Sequence, residues 1–223
     1  MKLIRYIIGI SYLLCITCFL ISCLKNPKKG LWLVFVYLLC SLAFDFIHQF
    51  SSEDTNILNG VFTIFEFAVF AYFFNLIINI PLAKRVMSFT SIIVLTILII
   101  LFIRANKRNF DSFSASLESV IIIIYCLIFF FEQISKPQTY FLYTLPYFWI
   151  VLGILIYMAS TLFLFILAGN LSDEEFRKYW IINSISNIIS NIIFGIGFLM
   201  NRFTVHNSIS DQSQNPNDIL KSP

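Results

Sequence analysis

The sequence predicts an all-α fold, an integral membrane bundle of seven transmembrane helices, and three observations predict it. The chain of 223 residues is 59% hydrophobic and only 12% charged, against roughly 45–50% and about 25% in soluble globular chains. So few charges could not cover the surface of a soluble domain of this length. The apolar residues gather in seven runs, each longer than the roughly 17 residues that a helix needs to cross a bilayer. Short loops carry most of the charge and join the runs. The formal net charge is +3, and its basic residues sit in small clusters between apolar runs, with no patch suited to nucleic acid.

The runs follow in order as approximate spans 3–24, 30–50, 58–80, 85–104, 112–133, 146–168 and 179–200. The first ends in LISC at 20–23, the form of a lipoprotein signal-peptide box, with Lys2 and Arg5 as its basic region. Lipidation of Cys23 would remove this run and leave six helices. The alternative is an ordinary first helix with small residues near its end, followed at once by Lys25, Lys28 and Lys29. Run two carries Tyr37, Ser41, Asp45 and His48, spaced 4, 4 and 3, a spacing that keeps residues on one helix face. Run three carries Asn59, Thr63 and Glu66 at spacings of 4 and 3. Run five has Ser114 and Glu118 four apart, with Tyr125 two turns on, and run six offers Gly153, Tyr157, Ser160 and Thr161. Pro146 stands at the start of run six, and all six prolines lie in loops, at that start or in the tail.

Run seven holds INSISNIISN at 182–191, with Asn183, Asn187 and Asn191 each four apart and Ser184, Ser186 and Ser190 between them. At about 100° per residue these six fall within roughly 160° of arc, and the isoleucines fill the opposite side. One face can meet lipid. The other must meet protein or water, because bare amides in hydrocarbon are costly. After Arg202 the chain becomes polar, giving a transmembrane domain over 1–202 and a tail over 203–223 expected to be disordered. The five cysteines (Cys15, Cys18, Cys23, Cys40, Cys126) all lie in apolar runs, where they suit small buried hydrophobes. The Cys15–Cys18 pair has no second pair or nearby histidine to make a redox or zinc site.

With side A defined as the face holding the N-terminus, depth ties the polar faces together. Asp45 lies about 8 Å in from side A, Glu118 about 9 Å, and Glu66 and Asn187 about 12 Å, with Thr161 at a similar depth. Two readings fit this convergence. One is a polar pocket open towards side A, in which Asp45, Glu66 and Glu118 supply negative charge and His48 titrates near neutrality. Tyr157, Asn183, Asn187 and Asn191 would supply neutral hydrogen bonding. Such a pocket suits a small cationic or polyhydroxylated ligand, or protons. The other reading is a satisfied structural network, with the amides as glue between helices.

Three function classes follow. An enzyme would need more than one histidine within the spans for a metal of the usual kind, and the chain has no H-E-x-x-H or G-x-S-x-G motif. A transporter is served by helices broken near the midplane and by repeated halves, and neither pattern is present here. A retinal pump would need a lysine in the seventh span, where there is none. The third class is a sensory or accessory module. FEFAVFAYFF at 65–74, PYFWIVLGILIYMASTLFLFIL at 146–167 and WIINSISNII at 180–189 are aromatic-rich helices joined by short loops. In these the chain resembles the small seven-helix membrane modules of bacterial sensor histidine kinases, or proteins encoded beside them. The resemblance implies a ligand-sensing bundle in a bacterial inner membrane that signals through a partner protein. The chain departs from it where a kinase domain would follow, with only about twenty polar residues after the last span. No cofactor or metal is implied, and the expected partners are the lipid bilayer and a signalling protein. The tight KNPKK loop at 25–29 on side B places the C-terminus in the cytoplasm and the N-terminus outside by the positive-inside rule. With that loop counted, basic residues near the membrane are seven on each side. Tyr140, Tyr143, Tyr147, Phe148 and Trp149 read as an aromatic belt at the side B interface.

Overall fold

Pro81 and Pro146 open two of the helices, a position where proline's fixed φ is already helical and its missing N–H costs no hydrogen bond. The computed structural model describes residues 2–23, 28–50, 55–104, 112–136, 142–168 and 173–213. Within them lie α1 (Lys2–Cys23), α2 (Lys29–Phe50), α3 (Thr55–Ile77) and α4 (Pro81–Arg104). These are followed by α5 (Ser112–Ile134), α6 (Pro146–Ala168) and α7 (Asp173–Ser213), with one short 3-10 turn at Leu142–Thr144. Helix α4 begins four residues earlier than its hydropathy suggests, since Pro81 can start a helix that the polar Lys84 and Arg85 then continue.

Six helices, α2 to α7, contain stretches long and apolar enough to cross a membrane. The helix composition is that of a polytopic membrane protein. Helix α1 is 22 residues long, and its described apolar stretch, Tyr6–Ser22, reaches the lower limit of what a bilayer needs. At the other end, α7 continues past Arg202 as helix to Ser213, about 16 Å at 1.5 Å per residue. The polar segment expected to lack structure therefore begins as a continuation of the last helix, and residues 214–223 lie outside the described residues.

Helices α6 and α7 pack together most extensively, followed by α1 with α7 and α5 with α6. Helix α3 touches α2, α4 and α5, while α4 packs chiefly on α3. Only 17% of the α4 span is buried, against 33–44% of the others, so α4 lies at the rim of the bundle. Its Leu82, Val86, Phe89, Ile92 and Ile103 point outward. Lipid tails are as apolar as these side chains, so close packing and polar contacts must hold the helices together. Phenylalanine provides the packing. Phe67, Phe70, Phe73 and Phe74 on α3 are fully buried, and Phe19 stacks on Phe35 with ring centroids 4.1 Å apart and meets Phe198 edge-on at 5.0 Å. Gly153 lets α6 approach α7, for a Cβ there would stand 2.6 Å from the Phe194 ring.

Side B carries the expected aromatic residues in specific contacts. Trp149 Nε1 donates to the Tyr143 carbonyl at 2.7 Å, and Lys28 Nζ lies 6.0 Å from the centre of the Tyr147 ring. Tyr140 lies outside the described residues.

Candidate functional site

The asparagine ladder of α7 accounts for its own polarity. Asn191 is buried and its Nδ2 donates to Ser11 Oγ on α1 and to Asn187 Oδ1, both at 2.9 Å. Asn187 Nδ2 donates to Tyr12 Oη at 3.1 Å, and Tyr12 shares a 2.7 Å hydrogen bond with Ser41 of α2. One turn nearer side A, Thr161 of α6 donates to Asn183 Oδ1 at 3.1 Å. Ser190 donates to the Gly153 carbonyl at 2.9 Å. The opposite face of α7 presents Ile181, Ile182, Ile185, Ile189 and Ile192 outward, as the arc predicts. These amides act as glue, tying α7 to α1 and α6.

Next to this network lies an acidic centre. Glu66, on α3, is buried at 4% exposure. Tyr37 of α2 donates to its Oε1 at 2.5 Å, and Tyr157 of α6 approaches its Oε2 at 3.4 Å. Glu118 of α5 is 3% exposed, interacts electrostatically with Glu66, and its Oε1 has no hydrogen-bond partner among the described residues. The same centre thus receives side chains from six helices: Tyr12 from α1, Tyr37 from α2, Glu66 from α3, Glu118 from α5, Tyr157 from α6 and Asn187 from α7. Neither carboxylate has a basic partner among the described residues.

Of the residues singled out in the sequence, Glu66, Glu118, Tyr157, Asn183, Asn187 and Asn191 converge in this region. Asp45 does not join them inside. It is exposed on α2, although its charge reaches Tyr12 and Glu66. Helix geometry explains the offset: eight residues separate Asp45 from Tyr37, and at 100° per residue this leaves it about 80° around the helix. The side chain of His48 lies outside the described residues. Ser11 and Tyr12 were not singled out, yet they receive the asparagine bonds. Their signal was two adjacent polar groups inside an apolar run.

A second polar group lies in the side B half, on helices α3, α4 and α5. Glu132 of α5 accepts the Asn79 backbone N–H at 3.0 and 3.2 Å and its Nδ2 at 3.3 Å, and pairs with Lys136 Nζ at 2.8 Å. It clamps the short corner between α3 and α4 onto α5. Asn75 of α3 donates to Ser88 of α4, and the Tyr125 hydroxyl bonds Thr90 and Ser91 at 2.8 and 2.9 Å. The i, i+4 pair Glu132–Lys136 was the available sequence signal.

Among the described residues no group of three or more His, Cys, Asp or Glu side chains stands ready to hold a metal. No protein-family model matches the chain, and no curated protein or solved structure matches it significantly.

Proposed function

We propose that the protein is a receptor-like sensory or signalling accessory module of a bacterial inner membrane. It spans the membrane seven times with its N-terminus outside, and the acidic centre is where its signal is received. One observation carries this reading: side chains from six helices meet around Glu66 and Glu118, and one buried carboxylate oxygen there has no hydrogen-bond partner among the described residues. Ionisable groups within a span are costly unless they are paired or wet, and by default they mark working sites. A ligand at this centre would touch several helices at once. By favouring one arrangement of them it would shift their packing, and the shift would pass to a partner protein. Helix α1 belongs to the bundle in this reading, since Tyr12, Cys15 and Phe19 are buried against its neighbours.

The chemistry favours small amines or polyols. Purified protein should be stabilised against thermal unfolding by a compound of that class, by an amount that grows with ligand concentration over Kd. The Glu66→Gln, Glu118→Gln double variant should fold and lose that stabilisation. Equal stabilisation of both proteins would remove the acidic centre as the site. A transport reading keeps one point in its favour, the carboxylate pair itself. Uptake of the stabilising compound into sealed vesicles would decide for it.

A further inference from the structure

We propose that Glu66 and Glu118 form a proton-binding pair, in which Glu118 takes up one exchangeable proton from side A while Glu66 stays ionised. This deepens the site assignment above and rests on it for where the working centre lies.

The asymmetry between the two carboxylates assigns the proton. Both are buried and their charges act on one another, and two negative charges in one centre away from water repel and are poorly solvated. Glu66 receives hydroxyl donors on both oxygens, from Tyr37 at 2.5 Å and Tyr157 at 3.4 Å. Hydrogen bonds of this kind stabilise an ionised carboxylate. Among the described residues Glu118 has no such help at Oε1. A single proton on Glu118 therefore leaves one negative charge in the centre, held where the donors are. Uptake converts the Glu118 carboxylate to a carboxylic acid, and release to side A restores the second charge.

The elements packed around the pair bring mostly neutral or acidic groups to it. Helix α1 faces the pair with Tyr12, α2 with Tyr37 and with Asp45 at the rim, α3 with Glu66 and α6 with Tyr157. Helix α7 contributes the neutral amides of Asn183 and Asn187. The charge that α4 brings towards side A is Arg104, exposed at its end. Among the described residues no cation neutralises the pair, so the proton is the simplest charge that can.

Infrared spectroscopy of the full chain in lipid nanodiscs tests this. At neutral pH the wild type should show a protonated-carboxyl C=O band that shifts in D2O and vanishes as pH is raised. Glu118→Gln should abolish the band and Glu132→Gln should preserve it. Should Glu118→Gln fail to fold, Glu66→Gln serves instead. Removing the neighbouring charge should let the Glu118 proton dissociate roughly tenfold more readily or better, moving the band's loss to lower pH. A missing band, or one unchanged in both variants, overturns the proposal. Loss of the band on exchanging choline for sodium or potassium at constant pH also overturns it, in favour of a metal cation. If the band fails but an amine or polyol still stabilises only the wild type, the ligand reading stands and the proton alone is removed.

Discussion

Asn191 spends its one side-chain nitrogen on two acceptors, Ser11 and Asn187, and is almost fully buried. Replacing it with alanine should therefore cost more than the average polar contact between membrane helices. The expected loss is about 1–2 kcal/mol, near the upper end for such contacts, measured by reversible unfolding in mixed micelles. Asn183 accepts from Thr161 nearer the membrane surface, and Asn183→Ala should cost less. Equal losses at the two positions would mean that the depth of the amide does not matter. At this scale the sequence was informative where a polar group recurs every turn. Its signal for Ser11 and Tyr12 was faint, because one polar pair in an otherwise apolar run does not recur from turn to turn. Asp45 misled for a physical reason. A spacing of four drifts by 40° per step, and two steps carry the side chain from the buried face to the rim.

Two packing arrangements depend on particular residues. Gly153 brings α6 onto α7, and Gly153→Leu would force its side chain into the Phe194 ring. Overpacking of this kind costs about 1–3 kcal/mol, which a lowered melting temperature in micelles would register. A melting temperature at the wild-type value would show that Phe194 turns aside freely. The corner between α3 and α4 depends on Glu132, whose removal leaves the Asn79 N–H without its acceptor. Glu132→Ala should cost about 1–3 kcal/mol through that unmet donor. Lys136→Ala should cost well under 1 kcal/mol, because its side chain is 40% exposed and such pairs contribute little. The opposite ranking would make the ion pair the important half of the clamp. No hydropathy reading could have linked Glu132 to Asn79, since they lie 53 positions apart and the acceptor meets a backbone group. The helices themselves were legible because each is an apolar run bounded by charge, proline or polar loop residues. Their ends were less so, as at Pro81 and at the extension of α7 beyond Arg202.

For the whole molecule, the membrane reading follows from composition and from six spans, while orientation rests on the KNPKK cluster. A reporter fused after Pro223 should show a cytoplasmic C-terminus, and an external one would turn the acidic centre towards the cytosol. Processing at Cys23 makes a sharp contrast. Loss of residues 1–22 would strip Asn187 and Asn191 of Tyr12 and Ser11. A chain produced without them should accumulate poorly and melt at lower temperature than the full chain. A truncated chain as stable as the full one would mean that the α1 contacts contribute nothing.

The contact between Ser11 and Asn191 joins residues 180 positions apart, so the first helix meets its final partner only when the last has been made. During synthesis Ser11 and Tyr12 must wait in the membrane with temporary company such as water, lipid headgroups or the insertion machinery. Long-range closure of this kind is slow in general. The polar stripe of α7 therefore acts as a late-arriving clasp: until it enters, the bundle is a chain of helices, and afterwards it is closed between its first helix and its last.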